Sequence, residues 1–386
     1  MDTYTRLREL TGGLTAYLAV YGCQQNQADG DRLRGSLLAM GYRLTQDHTE
    51  ADLLVLVTCA VRKHAETKLL GHLGEYLRTG KPGVKAVLCG CMAQREEVRE
   101  LLRTSYRQVA LTFGPADIGR FPEYMLTLLT EGGRRLYASP DTAPIGEDIP
   151  LARLPEDGRA NVTIMTGCDN FCSYCIVPYV RGRERSRAPE AVLEEVRGLV
   201  AGGVREIWLL GQNVNSYRPD FSELLRACGS FDGDYTVRFM TSHPRDAGRR
   251  LFSAIAETPR VAPILHLPVQ SGSNAVLKAM NRGYTREEYL EKIRLAKELI
   301  PRVALTSDVI VGFPGETERD FLDTLDLLKE VGFAKLFTFQ YSPRSGTPAA
   351  ELPQTLTPEE MKERFLRLLA LQKEIERRGG VIPPAG

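Results

Sequence analysis

The chain has 386 residues, 43% of them hydrophobic and 26% charged, with a formal net charge of +1. That length suits about two domains with sizeable cores; the composition is that of an ordinary soluble protein, and no apolar run is long enough to span a bilayer. The balanced charge excludes long-range attraction of nucleic acid by the chain as a whole, so any RNA contact rests on local patches. Residues Met1 to Thr15 are polar and mixed in charge and show no targeting pattern, which gives a cytoplasmic expectation. Eight cysteines in a reducing compartment point to metal ligation or catalysis rather than disulfides.

From Leu14 to about Gly132, short apolar runs alternate with amphipathic stretches, the rhythm of βαβ units on a parallel sheet. Strands are predicted at Ala16–Tyr21, Leu53–Thr58, Lys85–Leu88 and Val109–Phe113, with helices between them such as Ala65–Leu77 and Arg95–Leu102. The expectation is a doubly wound parallel α/β domain over residues 14–138. Residues 139–158 hold Pro140, Pro144, Pro150 and Pro155 among acidic and small residues without periodicity, and read as a linker. A second rhythm follows, with strands predicted at Val162–Met165, Glu206–Leu210, Thr236–Met240, Ile264–Leu267, Val303–Val311 and Leu336–Gln340. Pro189 marks a helix start, and Thr285 with Glu288 has the spacing of a capping box. About six βα units predict a (β/α)6 barrel, left open at the side, over residues 159–378. The last helix, from Pro358 to about Arg378, meets Gly379-Gly380, and residues 379–386 are expected to be a disordered tail.

The loop after the first barrel strand, Gly167-Cys168-Asp169-Asn170-Phe171-Cys172-Ser173-Tyr174-Cys175, places three thiols in a C-x3-C-x2-C spacing. A cubane 4Fe-4S cluster normally takes four thiolates, so a three-cysteine loop leaves one iron for an outside ligand. Structural zinc is the alternative, but it asks for four ligands, usually in paired spacings. In the first domain Cys23, Cys59 and Cys91 lie far apart in sequence, yet each falls at or just beyond the carboxyl end of a predicted strand. Ligands bind outside those ends in open α/β sheets, so these three thiols are candidates for a second cluster. The alternative, that they are small buried hydrophobes, stays open on spacing alone.

The loop of Cys168, Cys172, Tyr174 and Cys175 resembles the cluster loop of radical S-adenosylmethionine enzymes. Gly22-Cys23-Gln24-Gln25-Asn26 with Asp29, Thr58-Cys59-Ala60-Val61-Arg62 and Gly90-Cys91-Met92-Ala93-Gln94 resemble the three cysteine motifs of the methylthiotransferase family. Its tRNA-modifying branch is matched further by Ile176-Val177-Pro178-Tyr179-Val180-Arg181-Gly182-Arg183-Glu184, by Leu210-Gly211-Gln212-Asn213-Val214-Asn215, by Thr241-Ser242-His243-Pro244, by Leu267-Pro268-Val269-Gln270-Ser271-Gly272-Ser273, and by the stretch from Ser307 to Thr317. The resemblance implies two 4Fe-4S clusters, one cleaving S-adenosylmethionine to a radical and an auxiliary one carrying sulfur, with a second S-adenosylmethionine as methyl donor. It implies thiomethylation of C2 of N6-isopentenyladenosine beside the anticodon of tRNA, an electron donor such as a flavodoxin or ferredoxin, a sulfur source for the auxiliary cluster, and no membrane. Two features depart from the family pattern. Val57 stands where Asn is common, and the small C-terminal β-barrel with which members grip tRNA has no counterpart in these residues.

Tyr174, Arg181, Gly211, Gln212 and Asp308 are the candidate S-adenosylmethionine contacts. Arg181 belongs to a basic run with Arg183, Arg185 and Arg187, preceded by Arg159, that reads as a clamp for phosphate or for the carboxylate of S-adenosylmethionine. Gly211, Gln212 and Asp308 sit at barrel strands, where ligand contacts concentrate. His243 and His266 read as structural, Gly312-Phe313-Pro314-Gly315 as a tight turn, and Cys89, Cys228 and Trp208 as core. Two other functions remain open: a methylthiotransferase for another tRNA base or a protein side chain, and an iron–sulfur scaffold or electron-transfer protein without radical chemistry.

Overall fold

A computed structural model describes residues 2–61, 63–137 and 158–378. The linker expected over 139–158, apart from Gly158, and the tail expected over 379–386 lie outside the described residues. The chain divides into two compact units, one made of Met1–Pro155 with Tyr179–Arg187 and the other of Glu156–Pro178 with Ala188–Gly386. A division in chain order assigns Tyr179–Arg187 to the barrel. The segment clusters instead with the first unit, because Arg181 is bonded there.

In the first unit, β1 (Thr15–Val20), β2 (Arg43–Thr45), β3 (Leu53–Thr58), β4 (Lys85–Gly90), β5 (Val109–Phe113) and β6 (Arg135–Leu136) form one sheet in the order 2-1-3-4-5-6. All of its pairings are parallel. The central strand β3 reads Leu-Leu-Val-Leu-Val-Thr and is buried along its whole length, the continuous apolar run that a strand covered on both faces requires. Val57 is buried within it, opposite Val20 and Cys89. Helices α1 (Thr3–Thr11), α2 (Gln24–Ala39), α3 (Lys63–Thr79), α4 (Glu96–Ser105) and α5 (Phe121–Glu131) accompany the sheet. Helix α1 lies before the expected domain start. Asp2 caps it by accepting from the Tyr4 and Thr5 N–H groups, and its Leu7 is fully buried in the same core as Leu33, Leu37 and Phe121. In this strand order the connections change direction between β1 and β3, which makes the carboxyl ends of those two strands the crevice where ligands bind.

The second unit carries the six expected parallel strands as two three-stranded sheets. Arg159–Thr163, Glu206–Leu210 and Thr236–Phe239 form one, and Ile264–His266, Ala304–Val311 and Lys335–Gln340 the other. A parallel bridge between Val237 and Val261 continues the third strand toward the fourth. The first and last strands are not paired with each other, so the barrel is open at the side. Gly158 belongs to this unit rather than to a linker, since its carbonyl accepts from the Arg205 and Glu206 N–H groups. Pro189 opens the helix Pro189–Ala201, and Thr285 with Glu288 forms the expected capping box on Arg286–Leu299. Val162, Ile207, Val237, Leu265, Leu305 and Leu336 supply strand side chains to one core with the surrounding helices.

Candidate functional site

Cys23 is the N-cap of α2, directly beyond β1; Cys59 follows β3; and Cys91 opens the turn Cys91–Gln94 after β4. The three strand ends therefore bring three thiols to the switch point of the sheet. Gly22, at φ +124, makes the approach possible, because a Cβ there would lie 2.5 Å from Cys59 Cβ and 3.0 Å from its Sγ. Asn26 ties the crevice together: its Nδ2 donates to the Tyr21 carbonyl at 3.0 Å and to the Thr58 carbonyl at 2.7 Å, and the Cys23 thiol donates to its Oδ1 at 3.3 Å. The start of α2 buries Gln25, Asn26 and Asp29, an unusual run of polar side chains for a helix face turned inward. Burial pushes the Cys91 thiol up to about 11; Arg181 opposes this, while negative charge at Cys23, Cys59 and Asp29 adds to it. A thiolate there thus requires a cationic partner, which a bound iron centre provides.

The second triad lies on the loop after the first barrel strand. Gly167 takes φ +81 and donates its N–H to Gln212 Oε1 at 2.6 Å, so Gln212, beyond the second strand, fixes the start of the loop. Asn281 holds the loop's middle by donating to the Phe171 carbonyl at 3.0 Å, and Ser173 is tied by its N–H to Met280 O and by its hydroxyl to Ala279 O. Cys168 and Cys172 are buried and Cys175 is half-buried. The Cys175 thiol is pushed up to about 12 by burial and by the neighbouring Cys172. Arg282 faces this triad: Nη1 donates to Cys172 Sγ at 3.2 Å and reaches Tyr174 Oη at 3.4 Å, Nη2 donates to the Pro268 carbonyl at 2.9 Å, and Nε donates to Tyr284 Oη at 3.0 Å. Burial raises the Tyr174 phenol well above its ordinary range, so it stays neutral.

Among the described residues, no three His, Cys, Asp or Glu side chains are arranged as the shell of a single metal ion. The donor sets are two groups of three thiols, each with one arginine N–H on a sulfur. Soft thiolate donors suit iron–sulfur clusters, and hydrogen bonds to ligating sulfur are a usual feature around them.

The structure redistributes the other candidates. Arg181 was expected at S-adenosylmethionine, but its Nη2 bonds Asp29 Oδ2 at 2.7 Å and its Nε bonds Cys91 Sγ at 3.2 Å, which puts it on the first triad. Arg159 stands at the amino end of the first barrel strand, opposite to the end that leads into the cysteine loop, and pairs with Glu206 at 3.3 Å. Gly211 packs so closely that a Cβ would lie 2.4 Å from Met165 Cγ. Asp308 Oδ2 lies 3.6 Å from His266 Nε2, while His266 Nδ1 meets Thr306 Oγ1 at 2.9 Å. His243 accepts the Arg245 N–H, and burial lowers it to about 2, with Arg282, Arg245 and Lys292 adding to the effect. In the Gly312–Gly315 turn, Glu316 accepts the Gly312 N–H at 2.9 Å and the Arg364 Nη1 at 3.0 Å, so the protein's own carboxylate occupies the place of an anion. Cys89 and Cys228 are fully buried, as expected of core residues. Trp208 is half-buried rather than core, and its indole N–H donates to the buried Glu206 Oε1 at 2.6 Å. Arg282 and Asn281 were not anticipated; they lie over a hundred residues from the loop they hold, and no local pattern marks them.

Two family models match the chain: the radical SAM superfamily over residues 162–328 and the uncharacterized protein family UPF0004 over residues 15–114. A relative from Caldicellulosiruptor saccharolyticus, named tRNA-2-methylthio-N(6)-dimethylallyladenosine synthase, is 46% identical over 369 residues, covering 94% of this chain and 78% of the relative. The protein of the same name from Desulforamulus reducens is 48% identical over 363 residues, covering 92% and 79%. Among solved structures, the cobalamin-dependent radical enzyme OxsB superposes with a TM-score of 0.60 at 13% identity, covering 98% of this chain and 58% of that one. The radical methyltransferase TsrM from Kitasatospora setae gives 0.60 at 14%, covering 88% and 77%. These two likenesses concern the fold alone. A parallel sheet with thiols at its switch point, followed by an open barrel with a three-cysteine loop, defines a radical S-adenosylmethionine enzyme with an auxiliary thiol site. The chain belongs to the radical S-adenosylmethionine methylthiotransferase family, in its tRNA-modifying branch.

Proposed function

We propose that this enzyme thiomethylates C2 of N6-isopentenyladenosine beside the anticodon of tRNA, the base that its relatives' name describes as dimethylallyladenosine. Cys168, Cys172 and Cys175 would hold one 4Fe-4S cluster and Cys23, Cys59 and Cys91 the other. When bound, the clusters supply an electron to cleave S-adenosylmethionine and a sulfur atom for insertion at carbon. The chain's own residues bind and orient. Gln212, Asn281 and Ser173 fix the barrel loop, and Arg282 holds Cys172 and Tyr174. Tyr174, Gly211, Gln212 and Asp308 remain the proposed S-adenosylmethionine contacts.

The observation that carries this reading is the pair of three-thiol sets, each one ligand short of the four that a cubane takes. Among the described residues no helix is long and apolar enough to cross a membrane. A cytoplasmic setting, a flavodoxin- or ferredoxin-type reductant and a sulfur donor for the auxiliary cluster complete the proposal. The test is an anaerobic reaction of the iron-loaded chain with S-adenosylmethionine, a reductant and tRNA carrying unmodified isopentenyladenosine, followed by mass spectrometry of the nucleosides. Appearance of the 2-methylthio nucleoside is the expected result. Formation of 5′-deoxyadenosine without it would assign the radical chemistry to another substrate, and absence of both would overturn the reading.

A further inference from the structure

We infer that Arg181, held by Asp29, is a positioning residue for the first cysteine triad, fixing Cys91 for ligation and tuning the reduction potential of the iron–sulfur group carried there. The inference rests on the assignment of Cys23, Cys59 and Cys91 to the auxiliary cluster.

The arginine side chain is 4% exposed and the Asp29 side chain 7%. Taking two charges that far out of water carries a heavy desolvation cost, and a well-packed apolar pair is often as stable. Bulk stability therefore does not explain the pair; its geometry does. Nη2 bonds Asp29 Oδ2 at 2.7 Å and lies 3.3 Å from Asn26 Oδ1, which sets the plane of the guanidinium and aims Nε at Cys91 Sγ across 3.2 Å. Asp29 is steadied in turn by Gln25 Nε2 at 3.3 Å, and Asn26 by the carbonyls that end β1 and β3. Every partner of Arg181 in this chain of contacts stands on the first turns of α2 or beside a strand end of the first sheet. A guanidinium stays cationic in proteins, so the group facing Cys91 is a fixed positive charge. A cation and an N–H donor on a ligating sulfur both favour the more electron-rich state of a cluster, and hydrogen bonding to sulfur and local charge are the levers by which a protein sets such potentials.

The experiment uses the full chain carrying Cys168→Ala, Cys172→Ala and Cys175→Ala, so that only the first triad can load iron. Its midpoint potential is read by EPR-monitored redox titration with and without Arg181→Met/Asp29→Leu, a double change that leaves no unpaired buried charge. The expected result is a shift to more negative potential in a variant whose circular dichroism is unchanged. Arg181→Lys, which keeps the charge and loses the fork, is expected to shift less in the same direction, and it decides the matter if the double variant does not fold. In the chain with all its cysteines, the ratio of methylthio nucleoside to 5′-deoxyadenosine is expected to fall about tenfold or more in Arg181→Lys. An unchanged potential on a loaded cluster overturns the inference, as does weakened S-adenosylmethionine binding with the ratio intact, which would return Arg181 to the radical site. Failure of the parent triple variant to bind any iron would overturn the auxiliary-site assignment itself, and the inference with it.

Discussion

Arg282 donates to the sulfur of Cys172 across 3.2 Å although 110 residues separate them in the chain. The same guanidinium also closes on the Pro268 carbonyl and the Tyr284 hydroxyl, so it links the cysteine loop to the turn beyond the fourth barrel strand. Arg282→Met is expected to take one donor from each of these buried acceptors, leaving the Pro268 carbonyl only the Tyr284 hydroxyl at 3.2 Å, and to destabilise the iron-free chain by roughly 1–3 kcal/mol. Chemical denaturation measures that change. Arg282→Lys reaches at most part of the fork and should recover only part of the loss.

The two triads are expected to fail differently. Replacing Cys168, Cys172 and Cys175 with Ala should abolish 5′-deoxyadenosine formation, whereas replacing Cys23, Cys59 and Cys91 should spare it and abolish the methylthio product. Either change should lower bound iron from about eight to about four atoms per chain. Equal loss of both products in the two variants would show that the triads do not divide the chemistry.

Gly22→Ala tests the crowding at the switch point. The new methyl would overlap Cys59 Cβ, and the backbone at φ +124 already disfavours any side chain. Iron on the first triad is expected to drop while iron on the barrel loop stays, a contrast readable by EPR after separate replacement of each triad. Full loading of both sites would mean that the Cys59 strand end gives way easily.

His243 sets an acid limb. Its folded-state pKa is lowered to about 2 from an ordinary 6.5, so the unfolded chain binds the extra proton. Stability from this group is complete above about pH 6.5 and is lost as pH falls toward 2, at a slope approaching about 1.4 kcal/mol per pH unit. In His243→Gln the melting temperature should fall less steeply between pH 6 and 4 than in the parent. Parallel curves would place the acid sensitivity elsewhere.

Much of this arrangement is legible along the chain because it is local. The apolar run of β3 announces a central strand, and Thr285 with Glu288 announces a helix start, whereas the position of a cysteine past each of three strand ends leaves a buried hydrophobe as open as a ligand. The edge strands β2 and β6 are three and two residues long, too short for any periodicity to register. Arg181 and Asp29 stand 152 residues apart, and a pair formed by tertiary packing leaves no spacing rule to read. Reading Arg159 and Arg181 as one basic run fails for a physical reason: a strand carries its two ends apart, and the segment after the loop is claimed by a different core.

Tyr179–Arg187 returns the chain to the first unit after Glu156–Pro178 has begun the second. A ribosome delivers residues in order, and domains tend to fold as units while they emerge. Here the nascent first sheet can close before its last component exists, leaving Asp29 beside three thiols without its Arg181 partner until that residue has left the exit tunnel. A single cut after Arg187 keeps the arginine with this sheet only by carrying away Glu156–Pro178, the segment that begins the second unit. Excision of residues 1–155 for separate expression would yield the thiols without Arg181, the cation that holds Cys91.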